Sequence, residues 1–197
     1  VKDNGAGEPQ YTANELAKIY QDKGRDIFQR SFWQGMSSVG SLMDEKYSAK
    51  GLESVLKDYF ENEPLGAALK NVMVTTYDIQ NREPIFLKSW HPKHKSLEMR
   101  LAGRATSAAP TYFEPALTPV AGSIKALIDG GVFINNPAVS AYVEALRLFP
   151  GEEVFVLSLG TGELVRPIAF NEAKDWGKAG WMLNVIYSMF DGFSDAE

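Results

Sequence analysis

The residues best placed to do chemistry lie in Ala126-Leu127-Ile128-Asp129-Gly130-Gly131-Val132-Phe133-Ile134-Asn135-Asn136-Pro137. A short apolar run stops at a carboxylate, and two glycines follow. Asn136-Pro137 then opens a helical pattern, with Asn as N-cap and Pro at the first helical position. The pattern predicts a strand that presents Asp129 at its C-terminal end, where open α/β sheets bind ligands. Gly130 and Gly131 carry no Cβ, so another segment or a ligand can come close. Asp-Gly-Gly alone is also a common turn signal, and its bland reading is a surface Asp at a strand-to-loop turn.

Other chemistry-bearing residues are less well arranged. His91 and His94 sit three apart in a polar loop, but no third metal ligand stands near them, and Lys93 and Lys95 would repel a cation. Gly160-Thr161-Gly162 lacks the lysine and spacing of a phosphate loop and the third glycine of a dinucleotide fingerprint, so it reads as a tight turn. A hydrolase elbow has the form Gly-x-Ser-x-Gly, because its strained turn admits only small neighbours. Ser37, Ser38 and Ser158 each have a glycine on one side only, and Ser194 is preceded by Gly192 but followed by Ala196. None completes an elbow.

These residues need a scaffold, and the composition is that of one. The 197 residues are 45% hydrophobic and 23% charged, enough for a single domain with a real core. The net charge of −5 and the scattered Lys and Arg argue against a nucleic-acid partner. With no cysteine, these residues hold no disulfide, Cys-zinc site or Cys nucleophile. No apolar run is long enough to span a bilayer. The start, Val1-Lys2-Asp3-Asn4-Gly5, reads as a loop rather than a signal peptide, as though the chain began inside something larger.

Helical spacing of Leu16, Ile19, Tyr20, Ile27 and Phe28 predicts a first helix from Asn14, weakened by Gly24. Residues 30–47 read as an ordered loop, and Leu52, Val55, Leu56, Tyr59 and Phe60 as one face of a second helix. Residues 71–79 and 85–90 predict an antiparallel hairpin, 97–106 a short helix, and 111–125 a loop with two prolines and a glycine. Beyond Asp129, a helix over 137–149 should turn Val139, Tyr142, Val143, Leu146 and Leu148 at least partly inward. Val154-Phe155-Val156-Leu157-Ser158-Leu159 fits a strand buried on both faces of a parallel sheet, next to the Asp129 strand. The last helix, about 173–190, is apolar on more than one face, which suits a core helix and leaves a lipid-facing or subunit-facing role open.

Three blocks resemble the patatin-like phospholipases: Ala105-Thr106-Ser107-Ala108-Ala109-Pro110-Thr111-Tyr112-Phe113, then Asp129 to Ala138, then Leu157-Ser158-Leu159-Gly160-Thr161-Gly162. Each is modest alone; their order and gaps carry the signal. Tyr11-Thr12-Ala13-Asn14-Glu15, Lys46-Tyr47-Ser48, Tyr77-Asp78-Ile79, Trp176-Gly177 and Trp181-Met182-Leu183 resemble the plant patatins, so the likeness runs nearly the whole length.

The resemblance implies an α/β fold: a three-layer α/β/α domain with a mixed, mostly parallel sheet, one domain over residues 1–197, incomplete at its N-terminus. It implies a lipid acyl hydrolase of phospholipase A or esterase type, acting on phospholipid or another acyl-ester lipid through a Ser–Asp dyad. Asp129 matches the dyad base, with Gly130 and Gly131 completing its motif. The family's serine elbow and glycine-rich oxyanion loop precede the region matched by Val1, so this chain would hold no nucleophile and act alone as an inactive piece. The chemistry needs no cofactor and no metal, with calcium left open. Peripheral membrane contact is compatible with it, oligomeric state is not legible, and the compartment is read as cytoplasmic with secretion as the alternative. The competing expectation is a non-catalytic module of the same fold that binds lipid or a partner protein.

Overall fold

A computed structural model describes residues 2–28, 47–160, 167–177, 180–181, 184–185 and 188. The chain forms two compact units, Val1–Gly130 and Gly131–Glu197.

In the first unit, α1 (Ala13–Ile27) begins on a capping box. The Thr12 hydroxyl accepts from the Glu15 N–H at 3.3 Å, and the Glu15 carboxylate accepts from the Thr12 N–H at 2.7 Å. These bonds satisfy backbone donors that would otherwise be orphaned, and they hold the Glu15 carboxyl below its usual range. α2 (Ala49–Phe60), capped by Ser48, buries Ala49, Leu52 and Val55. Gly51 marks the close crossing of the two helices, where a Cβ would run into the Asp26 carbonyl. Ile27, Leu52, Val55 and Phe113 form a core of their own.

The expected hairpin is present as β1 (Met73–Asp78) and β2 (Glu83–Lys88). α3 (Met99–Thr106) follows. Two more strands, β3 (Ala116–Val120) and β4 (Ser123–Asp129), complete a four-stranded sheet in the order β2-β1-β4-β3. β3 replaces the loop expected over 111–125. It joins β4 through Ala121 and Gly122, both with positive φ (52° and 86°), the mirror-image turn that matches strand twist. Pro119 is tolerated because β3 is an edge strand with one free side.

All three pairings are antiparallel, which corrects the expectation of a mostly parallel sheet for this part of the chain. The reason is connectivity: both hairpins return directly, and parallel neighbours need long crossovers. Within this unit the helices are stacked on one face: α3 against β1, β3 and β4, α2 against α3, α1 against α2. The core between α3 and the sheet holds Leu87, Leu97, Ala102, Ala105, Ala108, Ala116 and Leu127. Arg104 ties the layers together, its Nε 3.1 Å from Glu53 and its Nη2 donating to the Glu114 carbonyl at 2.9 Å.

Gly130–Val132 follows β4 as one short turn, and the second unit continues with α4 (Ala138–Leu148). The cap position is Pro137, one residue later than the sequence predicts, and Asn136 Oδ1 accepts from the Ala138 N–H at 3.1 Å just ahead of the helix. Helix α4 buries none of its residues: Val139, Tyr142, Val143 and Leu146 all stay exposed, contrary to the inward-facing expectation. Residues 154–159 form no strand, contrary to the expectation of a buried one. A buried strand needs ladder partners for its backbone, and Phe155 and Leu159 are more than four-fifths exposed. The short α5 (Phe170–Ala173) meets the start of the predicted last helix, part of which lies outside the described residues, as does the 30–47 loop apart from Tyr47.

Candidate active site

Asp129 stands at the last position of β4, as the apolar run stopping at an acid predicts. Its place is fixed from two sides. Across the ladder it pairs with Thr76 of β1, whose hydroxyl donates to the Ile128 carbonyl at 2.7 Å. On the other side its backbone N–H donates to the Ala108 carbonyl at 3.0 Å. Ala108 is fully buried just beyond α3. The alternation of β4 sets Asp129 on the same face as Leu127, the face covered by α3. Asp129 is half-buried there.

Gly130 is required by its neighbour. A Cβ would lie 2.5 Å from the carbonyl carbon of Thr75 and 2.6 Å from the Thr75 Cβ, too close for any side chain. Thr75 is itself pinned, its carbonyl accepting from the Thr106 hydroxyl at 2.8 Å. The Ala105–Phe113 and Asp129-Gly130 blocks, 16 or more residues apart in sequence, thus meet at one place: Thr106 on Thr75, Ala108 on Asp129. Gly131 is buried too, at the start of the second unit.

The turn that leaves this meeting point is strained. Thr111 has φ 73°, a conformation that a β-branched residue rarely adopts. It follows Pro110, and the Tyr112 and Phe113 N–H groups both donate to the Ala109 carbonyl. The arrangement suits glycine at this position, and strain kept beside a candidate site is a functional signal. Thr75 and Thr76 carry no functional signal in the sequence, and Ala108 and Thr111 stand there only as members of the Ala105–Phe113 block. Only Pro110-Thr111 carried a local cue, as a Pro-initiated turn.

The remaining candidates lie elsewhere. His91 and His94 stack with ring centroids 4.6 Å apart. Each is engaged locally, His94 Nδ1 accepting from the Lys88 N–H at 3.3 Å and His91 Nδ1 from the Lys93 N–H at 3.2 Å. Burial and then the charges of His91, Lys88 and Lys93 hold His94 below its ordinary range. Among the described residues no three His, Asp or Glu side chains gather as a metal site requires, and no helix is long and apolar enough to cross a membrane. Ser158 in the second unit places its hydroxyl 3.4 Å from Asn136 Oδ1. Ser37, Ser38, Ser194, Thr161 and Gly162 lie outside the described residues.

The family model for patatin-like phospholipase matches residues 6–142, which takes in both blocks that meet at Asp129. The chain belongs to the patatin-like phospholipase family. Members of this family are generally lipid acyl hydrolases. Among patatin relatives, patatin-like protein 2 of Arabidopsis thaliana is 32% identical over 98% of this chain and 54% of its own length. Patatin-12 of Solanum tuberosum is 32% identical over 92% of the chain and 51% of its own length. A probable inactive patatin-like protein 9 of Arabidopsis thaliana is 30% identical over 82% of the chain and 45% of its own length. The chain spans about half the length of the patatin relatives it matches.

Proposed function

We propose that the intact protein is a lipid acyl hydrolase of phospholipase A or esterase type, and that Asp129 is the base of a Ser–Asp dyad. On this reading the serine lies upstream of residues 1–197. In the first step Asp129 takes the serine proton as the oxygen attacks the ester carbonyl, and passes it to the departing alkoxide, which leaves as the alcohol. Water then attacks the acyl-enzyme, with Asp129 again accepting a proton and returning it to the serine oxygen as the fatty acid leaves. A carboxylate with a pKa near ~3.9 is a weak base in water, so the role calls for partial desolvation or a tight bond to the serine. The observation that carries the proposal is the tether of Asp129 to Ala108, which joins two family blocks around one half-buried carboxylate at a strand end.

The finer architecture belongs to the same proposal: a three-layer α/β/α domain whose parallel strands come from chain beyond the sheet described above. The family match runs across the boundary between the two units, which supports counting both in one domain. Substrates are phospholipids or other acyl-ester lipids, met by peripheral contact with a membrane from the cytoplasmic side. No cofactor takes part.

A second reading, a non-catalytic module of the same fold, draws support from the relative whose name calls it probably inactive. An active-site-directed fluorophosphonate separates the two. In the full-length protein the dyad reading expects one labelled serine outside positions 1–197, with loss of p-nitrophenyl ester turnover. Label on Ser37, Ser158 or Ser194 would overturn the mapping. Neither label nor turnover would favour the binding module.

A further inference from the structure

The basic residues are scattered in sequence, but the fold gathers several at one end of the sheet. Lys88 ends β2, and the loop that leaves it carries His91, Lys93, His94 and Lys95. The chain ahead of β1 joins them. The Val72 N–H donates to the Ser89 hydroxyl at 3.0 Å, and the Ser89 N–H to the Val72 carbonyl at 2.9 Å. The Gly66 N–H donates to the Lys95 carbonyl at 2.8 Å. These bonds hold residues 65–72, and Lys70 with them, beside 88–95. Neither 65–72 nor 84–97 contains an Asp or Glu. The flanking acids Glu83 and Glu98 are engaged by Lys125 at 3.1 Å and by Arg100 at 2.6 Å. Lys70, Lys93 and Lys95 are exposed and form no ion pair among the described residues. His94 feels this field: burial first, then His91, Lys88 and Lys93, hold it below its ordinary range.

The position of the cluster is informative. Leu127, Ile128 and Asp129 of β4 face Asp78, Tyr77 and Thr76 in turn. β4 therefore runs toward the end of the sheet where β1 begins at Met73, and Met73 faces Lys88. Three residues along β1 and two strands across put Lys88 on the order of 14 Å from Asp129. The basic cluster and the candidate base share one end of the sheet.

We propose that this end of the sheet docks on the anionic surface of a lipid bilayer through Lys70, Lys88, Lys93 and Lys95. The whole chain carries −5, but charges farther than about 8 Å are screened at physiological salt, so the local cluster decides. Two features favour a bilayer over nucleic acid. All four cations are lysines, point charges that suit a fluid layer of headgroups, whereas the Arg fork serves fixed phosphate and base geometry. Trp90 stands half-buried among them, and Trp prefers the headgroup level of a membrane. Each such lysine is worth roughly fivefold in partitioning. Docking stands without the hydrolase reading above, whereas any effect on turnover rests on it.

The test is flotation of the full-length protein with vesicles of phosphatidylcholine alone, or mixed in equal parts with phosphatidylserine. Wild-type protein should float with the mixed vesicles and not the neutral ones, and added salt should release it. Lys93→Glu with Lys95→Glu should weaken that partitioning at least ~25-fold, while Lys93→Arg with Lys95→Arg keeps it. Lys18→Glu with Lys50→Glu, exposed on α1 and α2, makes the same change in net charge elsewhere and should cost less than ~threefold. Thermal melting checks that each variant folds, and the wild-type comparison of lipids needs no variant. Turnover of soluble p-nitrophenyl butyrate should be the same in all, whereas turnover of lipid in mixed vesicles should fall with the Lys93 and Lys95 reversal. Equal partitioning to neutral and mixed vesicles would overturn the proposal, as would the two charge-reversed pairs behaving alike. Lysine-dependent binding to duplex DNA, tighter than to vesicles at the same salt, would also overturn it and make nucleic acid the partner. Docking that needs the lysines, without turnover of either ester, would keep the surface and overturn the hydrolase. Ester turnover that depends on Asp129, with no partitioning to mixed vesicles, would spare the hydrolase and overturn the surface.

Discussion

Asp78 and Asp129 end adjacent strands of one sheet and lie diagonally across the β1–β4 ladder on the same face. Their surroundings differ sharply. Asp78 is fully buried, and its carboxylate accepts from the Gln80 and Asn81 N–H groups, the Asn81 side chain at 2.8 Å and the Lys125 ammonium at 2.8 Å. Burial alone would raise its pKa, but these four donors, Lys125 foremost, outweigh it and hold the group at about 2. Asp78 and Glu83 in turn raise Lys125. A carboxylate so well solvated by the protein has no appetite for a proton. Asp129 is anchored through its backbone instead, by Thr76 across the ladder and by Ala108. Its residue keeps partial access to solvent. Two acids on one sheet thus divide the work: one locks the hairpin ends together, and the other is positioned without being enclosed.

Breaking the first acid should cost most. Asp78→Ala leaves Lys125 in a poorly hydrated site with only Glu83, and should destabilise the fold by about 3–5 kcal/mol. Denaturant unfolding measures this directly. The same group sets an acid limit in the wild type. Its folded pKa lies below the unfolded value, so its stabilisation, roughly 2 kcal/mol, is complete above the unfolded pKa and is lost as pH falls through about 2. Asp78→Ala should remove that part of the acid dependence. An unfolding midpoint unchanged from wild type would mean that the ion pair contributes nothing.

The second end of the sheet can be perturbed through its neighbours. Gly130→Ala pushes a methyl against Thr75 and should cost about 2 kcal/mol, with a larger proportional loss of activity than of stability because Asp129 is displaced with it. An Ala variant that melts and turns over like wild type would show that the close approach is relaxed in solution. Thr111→Gly works in the other direction. It relieves a left-handed Thr and should stabilise by about 1 kcal/mol, seen as a small rise in Tm. A fall in Tm would place the Thr111 side chain, rather than its backbone, at the centre of that turn.

Much of this division was legible in the sequence. The acid that ends an apolar run and the β1–β2 hairpin rest on local patterns and appear as expected, whereas the helix cap falls on Pro137, one residue beyond Asn136. β3 was hidden because Pro115, Pro119 and Gly122 are loop residues by local rules, and only an edge position makes Pro119 acceptable. Residues 154–159 misled in the opposite direction: their composition suits a buried strand, but strand formation depends on neighbours that composition does not specify. The role of Ala108 was unreadable for a similar reason, since its contribution is a backbone carbonyl and any residue small enough to be buried there could supply it.

The central claim is that Asp129 acts chemically and not structurally, and Asp129→Asn in the full-length protein tests it most directly. Asn keeps the size and the backbone bond to Ala108 but cannot accept the serine proton. Ester turnover should fall by at least ~10²-fold while the melting temperature stays close to wild type. Alanine at His91 and His94 is the matched control and should leave turnover within about twofold, since both rings are engaged locally and away from the Asp129 ladder. An Asp129→Asn protein with wild-type melting and full turnover would contradict the account, all the more so if a histidine variant lost activity instead.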